Sequence, residues 1–445
     1  MSPSMSRRLY TMGWYAALPL VAAYLLARSL RQPEYRRFWS ERFLGRGRAA
    51  GAAPAGASAG PTLWLHAVSV GETRAAQPLL ERLAQVYPSA RFVLTHMTPT
   101  GRGAAAPLLQ ALAGRIEQRY LPYDLPGSVQ RFLFEVHPAI GVLMETELWP
   151  NLQHQVQRAA VPIVLVNARL SERSLRRMLR WVSLMRPAAA RLAAVAAQTE
   201  ADRLRWARLY DGPIKVTGNL KFDAAPAPAQ IESGRMWKRR LQGRPLWVFA
   251  STREGEESLI VEALQRRMRA ADSLGNPAPV LLFVPRHPQR FDDVQRLLAA
   301  LRQPVLRRAC FDALSPRDDV LLGDSMGEMP MYYAMADLAL IGGSLLPLGG
   351  QNLIEACACG CPVVFGPHMF NFSQAAADAL SAGAARQVPD ADAALDALCA
   401  LQGDGPRRAS MVQAALAFAG AHRGATERTL EVIGEAIGVS AAAAR

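Results

Sequence analysis

Cysteine is scarce, with five residues in a chain of 445, all in the carboxyl-terminal third. An odd count without paired spacing excludes a disulfide framework and fits a reducing compartment. The tightest group, Cys357-Ala-Cys359-Gly-Cys361, has one residue between cysteines, where zinc sites use two to four, and no Cys/His pair follows nearby. These cysteines read as small buried residues at a helix–strand junction, and no metal site is assigned. Acidic residues are also short: 37 Asp and Glu against 51 Lys and Arg leave a net charge of +14, mostly through Arg. That excess calls for an anionic partner, either nucleic acid, anionic lipid or a phosphorylated substrate. Zinc-finger spacing, an RNA-binding aromatic signature and a recognition helix are all missing, which leaves nucleic acid out. Long apolar runs are absent with one exception, at the amino terminus.

That exception is residues 9–27, LYTMGWYAALPLVAAYLLA, which carry no charge and are near the minimum length for crossing a bilayer. Arg7 and Arg8 precede the run; Arg28, Arg31, Arg36, Arg37, Arg42, Arg46 and Arg48 follow it. The heavier basic flank puts the bulk of the protein on the cytoplasmic face of the membrane. The run reads as an uncleaved anchor that spans the membrane or lies in its plane. Residues 1–48 are therefore assigned to the anchor and its basic flank, and the small-residue stretch 49–60 to a flexible linker.

A chain this long needs two cores. Residues 61–223 alternate short apolar runs with helical stretches, the pattern of a parallel, doubly wound α/β sheet. In such sheets ligands sit beyond the carboxyl ends of the strands. Glu72, Glu145 and Glu147 all follow apolar runs and so occupy such positions. A carboxylate fixed there suits general-base chemistry, although a first-turn glutamate also serves a helix dipole. Further on, Arg173, Arg176, Arg177 and Arg180 recur at three and four, which lines one helical face with positive charge for a phosphate or a membrane surface. The Pro/Ala-rich residues 224–234 read as a hinge, with Lys221 just before it placed to meet a carboxylate or a phosphate.

Residues 235–445 restart the strand–helix alternation. Ser251, Thr252 and Arg253 follow one apolar run with groups suited to phosphate. Arg286 and His287 follow a second, and Met326, Gly327 and Glu328 a third. The stretch 341–367, IGGSLLPLGGQNLIEACACGCPVVFGP, reads as strand, glycine turn, helix and strand. Gly343 and Ser344 offer bare backbone to an anion. Asn352 and Glu355, one turn apart, suit the hydroxyls of a ribose.

This stretch resembles the nucleotide-binding region of the GT-B glycosyltransferases, and more narrowly that of the transferases of 3-deoxy-D-manno-oct-2-ulosonic acid (Kdo). HAVSVGE around Glu72, ETELWPN from Glu145, PRHP around Arg286 and His287, and the His368–Phe372 segment resemble the same family, so the motifs run from about residue 62 to 375. The resemblance implies two Rossmann-like domains facing a cleft, with the acceptor on the first domain and the nucleotide sugar on the second. It implies inverting transfer of Kdo from CMP-Kdo to a lipid A precursor in lipopolysaccharide synthesis at the inner membrane, with Glu72 as base and Glu145 and Glu147 shaping the acceptor side. It also implies that basic groups stabilise the departing phosphate, so metal-independent transfer is expected. The alternative is another GT-B enzyme acting on a UDP-sugar, as a glycosyltransferase or an epimerase.

Overall fold

A computed structural model describes residues 2–47, 60–223, 227–269, 274 and 277–443. The expected linker 49–60, apart from its last residue, and the start of the expected hinge, 224–226, lie outside the described residues. The chain divides into two units: Met1–Ala224 together with Arg423–Arg445, and Ala225–His422.

The first unit is built on strands β1 (Thr62–His66), β2 (Arg91–His96), β3 (Ile116–Tyr120), β4 (Pro138–Met144), β5 (Ile163–Ala168), β6 (Ala194–Ala197) and β7 (Ile214–Val216). Their order is β3-β2-β1-β4-β5-β6-β7, every pairing parallel. Helices cover both faces, so strand residues are buried on either side and read as continuous apolar runs. Leu63 and Leu65 of β1 join one core cluster, and Trp64 between them joins the other. Trp64 lies flat enough on β4 that a Cβ at Gly141 would sit 2.7 Å from its ring, which is why that position is glycine. The chain order reverses between β1 and β4, and that switch point fixes where a ligand-binding crevice opens.

The second unit repeats the plan with β8 (Leu246–Thr252), β9 (Val280–Pro285), β10 (Val305–Arg307), β11 (Val320–Leu322), β12 (Leu338–Ile341), β13 (Val363–Phe365) and β14 (Ala385–Gln387). The order is β10-β11-β9-β8-β12-β13-β14, again parallel throughout. Phe249 and Phe283 stack across β8 and β9 with centroids 4.5 Å apart. Here the switch point falls between β8 and β12.

Three boundaries differ from the sequence reading. The last helix, Ala425–Ala443, belongs to the first unit and not to the second: Ala425, Val432, Ile433 and Ala436 enter the core of the first sheet. Arg428 Nε also donates to the Thr217 carbonyl at 2.9 Å. Residues 33–47, assigned to the anchor's basic flank, pack into the first unit. Tyr123 N donates to Arg42 O at 2.8 Å, Tyr120 N donates to Glu41 Oε2 at 2.8 Å, and both Glu41 and Arg42 are buried. The expected hinge runs into a helix that begins at Pro228.

The amino-terminal helix, Pro3–Ser29, is the one helix among the described residues long and apolar enough to cross a membrane. One side docks on the first unit. Ser6 and Ser183 hydroxyls meet at 3.0 Å, Thr11 Oγ1 donates to Asn151 Oδ1 at 3.0 Å, and the Trp14 and Tyr123 rings lie 5.7 Å apart. The other side leaves Leu9, Met12, Leu20, Tyr24 and Leu26 more than half exposed.

Candidate functional site

Each unit gathers its own set of polar groups at its switch point. In the first, β1 runs out at His66 and the chain turns into the helix Val70–Val86. Ser69 caps that helix: its Oγ accepts from Glu72 N and donates to Glu72 Oε1 at 2.9 Å. Val68 N donates to Glu72 Oε2 at 2.9 Å. The arrangement is like a capping box, with the carboxylate reaching back to the N–H one residue before the cap, and it fixes the carboxylate on a rigid turn. β4 lies next to β1, so Glu145 and Glu147, just past its end, come alongside Glu72. Burial pushes the Glu72 carboxyl up to about 7; the Val68 N–H and Ser69 oppose this, while the charges of Glu145 and Glu147 add to it. Burial also raises Glu147, whose Oε2 accepts from Trp149 Nε1 at 2.5 Å.

Glu145 has φ +57°, a left-handed backbone that a side-chained residue adopts only under constraint. Lys221 Nζ donates to its Oε1 at 3.0 Å. Lys221, which the sequence places to meet a carboxylate or a phosphate, here meets a protein carboxylate, that of Glu145. Asn167, at the end of β5, holds that loop by accepting from Leu220 N at 3.0 Å. The four arginines expected on one face lie in the helix Glu172–Arg180, and all four are exposed around a single buried Leu175. Arg176 is 3.8 Å from Glu172.

In the second unit the glycine turn after β12 differs from its reading as an open anion site. A protein carboxylate already fills it. Glu256, fully buried, accepts from Gly343 N at 2.5 Å, Leu345 N at 3.0 Å and Arg253 N at 2.9 Å. Ser344 is also turned inward, donating to the Ile341 carbonyl at 2.5 Å and accepting from Gly366 N at 2.8 Å. Gly342 permits this closure, since a Cβ there would lie 2.5 Å from Ser251 O. Thr252 is internal as well: its Oγ1 donates to Glu257 Oε1 at 2.9 Å, and Arg290 Nη1 donates to Glu257 Oε2 at 3.0 Å. Glu328 is clamped by Arg308 through two bonds of 2.8 and 2.9 Å and by Ser325. Burial would raise its carboxyl, but those partners hold it below the usual range. Beside it Met326 is exposed, and the Gly327 carbonyl accepts from Gln230 Nε2 at 2.9 Å.

What remains open to a ligand is cationic. Ser251, at φ +55°, bends the end of β8 so that Arg253 follows, and Arg286 and His287 follow β9. His287 is held below its usual value by loss of water around the ring, then by the charges of Arg253, Arg286 and Arg290. Glu355 stands in the same field: burial raises its carboxyl and the Arg286 charge opposes this. Asn352 Oδ1 accepts from Ile354 N at 3.1 Å and so opens the short helix that carries Glu355. Arg290, Glu256 and Glu257 were missed in the sequence; the visible signal was a strand end followed by two acidic residues in the first turn of a helix. The chain's one Asp-x-Asp, Asp390-Ala391-Asp392, is committed elsewhere. Asp390 caps a helix through Ala393 N, and Asp392 pairs with Arg266.

A family model described as 3-deoxy-D-manno-octulosonic-acid transferase (kdotransferase) matches residues 37–224. The 3-deoxy-D-manno-octulosonic acid transferase of Bordetella pertussis is 44% identical over 438 residues, 98% of this chain and 100% of that protein. The transferase of the same description from Haemophilus influenzae is 36% identical over 376 residues, 83% of this chain and 84% of that protein. Among solved structures, a UDP-GlcNAc 2-epimerase from Neisseria meningitidis superposes with a TM-score of 0.57 over 84% of this chain and 100% of its own, at 14% identity. That likeness bears on the fold, which is GT-B.

Proposed function

The chain belongs to the 3-deoxy-D-manno-octulosonic acid (Kdo) transferase family, and from that premise we propose that it transfers Kdo from CMP-Kdo to a phosphorylated lipid A precursor in lipopolysaccharide synthesis. The observation that carries this is Glu72, a buried carboxyl that titrates at about 7 on a rigid turn at the first sheet's switch point. Glu72 takes the proton of the acceptor's hydroxyl. The oxygen attacks the anomeric carbon, the bond from that carbon to the phosphate oxygen breaks, and CMP leaves with the electron pair. Arg253 and Arg286 balance the phosphate's charge, and His287, kept neutral by loss of water and by the same cations, can donate a hydrogen bond to it, so the transfer is read as needing no metal. The amino-terminal helix and the Arg173–Arg180 face hold the protein on the cytoplasmic side of the inner membrane, where the acceptor lies.

Product analysis by mass spectrometry on salt-washed membranes carrying the protein tests the reading. Mass added to a tetraacylated acceptor from CMP-Kdo is the expected result. Turnover of a UDP-sugar with CMP-Kdo untouched would favour the alternative enzyme, and activity found only in the wash would refute the anchor.

Glu355 is the proposed partner of the ribose hydroxyls. Glu355→Ala removes a charge-assisted hydrogen bond, worth about 1.5–3 kcal/mol, so CMP affinity should fall roughly tenfold to a hundredfold in a titration calorimeter. Unchanged affinity in the folded variant would remove Glu355 from the site.

A further inference from the structure

The amino-terminal helix docks along one side and leaves a groove of about 680 Å³ against residues 39–44. That volume falls within the range usual for small-molecule sites, ~300–1,000 Å³. Tyr15, Leu18, Pro19 and Ala22 of the helix form one wall, and Trp39 and Phe43 the other. Aromatic contacts continue inward, Trp39 to Phe43 at 5.3 Å and Phe43 to Tyr123 at 5.1 Å. The second wall is fixed before any ligand arrives. Ser128 Oγ donates to the Phe43 carbonyl at 2.5 Å and Arg131 Nη1 to the Leu44 carbonyl at 2.9 Å. On the first wall Pro19 has no N–H to return to the Tyr15 carbonyl.

We propose that this groove holds an acyl chain of the phosphorylated glycolipid acceptor. The inference rests on the transferase reading. The lining is hydrocarbon and aromatic, which suits a chain without polar atoms. The surroundings suit the head of such a lipid. No carboxylate lies on the helix, and residues 2–47 contain only Glu34 and Glu41, the latter buried and paired with Arg102 at 3.0 Å. Arg28, Arg36 and Arg37 are exposed nearby in sequence. Arg42, on the turn that forms the second wall, is turned inward: it is buried, lies 3.6 Å from the Tyr120 ring centroid and donates through Nη1 to the Met97 carbonyl at 2.9 Å, which ties that turn to the first unit. An apolar slot flanked by exposed arginines and few carboxylates matches a phosphate-bearing lipid better than a peptide helix, which would bring polar backbone and no fixed anion.

The test compares full-length wild type with Ala22→Trp, which fills the groove, on a tetraacylated acceptor and on the same disaccharide bisphosphate stripped of its acyl chains. Wild type should show the lower KM for the acylated acceptor. Ala22→Trp should raise that KM about tenfold, the equivalent of unseating roughly two methylene groups, with kcat and all kinetics on the stripped acceptor unchanged. An unchanged KM for the acylated acceptor in Ala22→Trp, or equal loss on both acceptors, overturns the groove assignment. So does a wild type indifferent to acylation, and in each of these cases the transferase reading stands. A wild type that transfers Kdo to neither acceptor overturns that reading and the acyl-chain site with it.

Discussion

Glu72→Gln should lower turnover by about a hundredfold to ten-thousandfold, the usual contribution of general-base catalysis. The amide keeps the shape of the side chain and can still accept from Val68 N, so the turn after β1 should hold. It cannot take the acceptor's proton. Donor affinity should hardly change, because none of the groups around Glu72 belongs to the unit that carries Arg253, Arg286 and Glu355. The pH profile gives an independent readout. Burial raises this carboxyl to about 7, and a base acts only when ionised, so kcat should fall as pH drops through about 7. The acidic limb should vanish in Glu72→Gln, leaving a low, flat rate. Weakening the neighbouring negative charge should move the limb: Glu147→Gln removes one carboxylate that raises Glu72, so the limb shifts to lower pH. Near-normal turnover in Glu72→Gln would transfer the role to Glu145 or Glu147. Of these, Glu147 is the stronger successor, since Glu145 is engaged by Lys221.

What the sequence disclosed, and what it hid, follows from how local each feature is. Central strands are continuous apolar runs buried on both faces, so β1, β4, β8, β9 and β12 were legible. The edge strands β10 and β14 have three residues each, mostly half-buried or exposed, and nothing in their pattern separates them from loop. Glutamates after strands were legible for the same reason as the strands, since the doubly wound plan assigns function to those positions. The glycine turn misled because its partner is distant in sequence. Glycine backbone invites an anion, and the anion it holds is Glu256, 87 residues before Gly343. The partner of Lys221 was illegible for the same reason, since Glu145 comes from another strand end. The last helix gave no warning either, because an apolar stripe says that a helix packs, not which core it packs on.

Arg290→Met should lower the stability of the second unit by about 3 kcal/mol, the lower end for breaking a buried ion pair because Arg290 keeps some contact with water. The Glu257 side chain is fully buried, whereas that of Arg290 is 21% exposed. Glu257 receives Thr252 Oγ1–H and the Arg290 guanidinium, and burial still raises its carboxyl. Without Arg290 a charge is left in the core with one partner. For a domain of this size each kcal/mol moves the melting temperature by ~2–4 °C, so a drop of roughly 6–12 °C is expected by calorimetry. The sign with pH is fixed. Losing the cation raises the Glu257 carboxyl further, and a protonated Glu257 needs no cation. The deficit relative to wild type should therefore shrink as pH falls and grow as pH rises through the raised value. Glu257→Gln added to Arg290→Met removes the stranded charge and should recover part of the loss. A double variant no more stable than Arg290→Met would mean that the arginine acts through packing and not through its charge. Donor affinity should weaken in Arg290→Met beyond what stability explains. Glu257 ties Arg290, in the loop that carries Arg286 and His287, to Thr252 beside Arg253, so the two loops proposed to meet the donor's phosphate share one buried carboxylate.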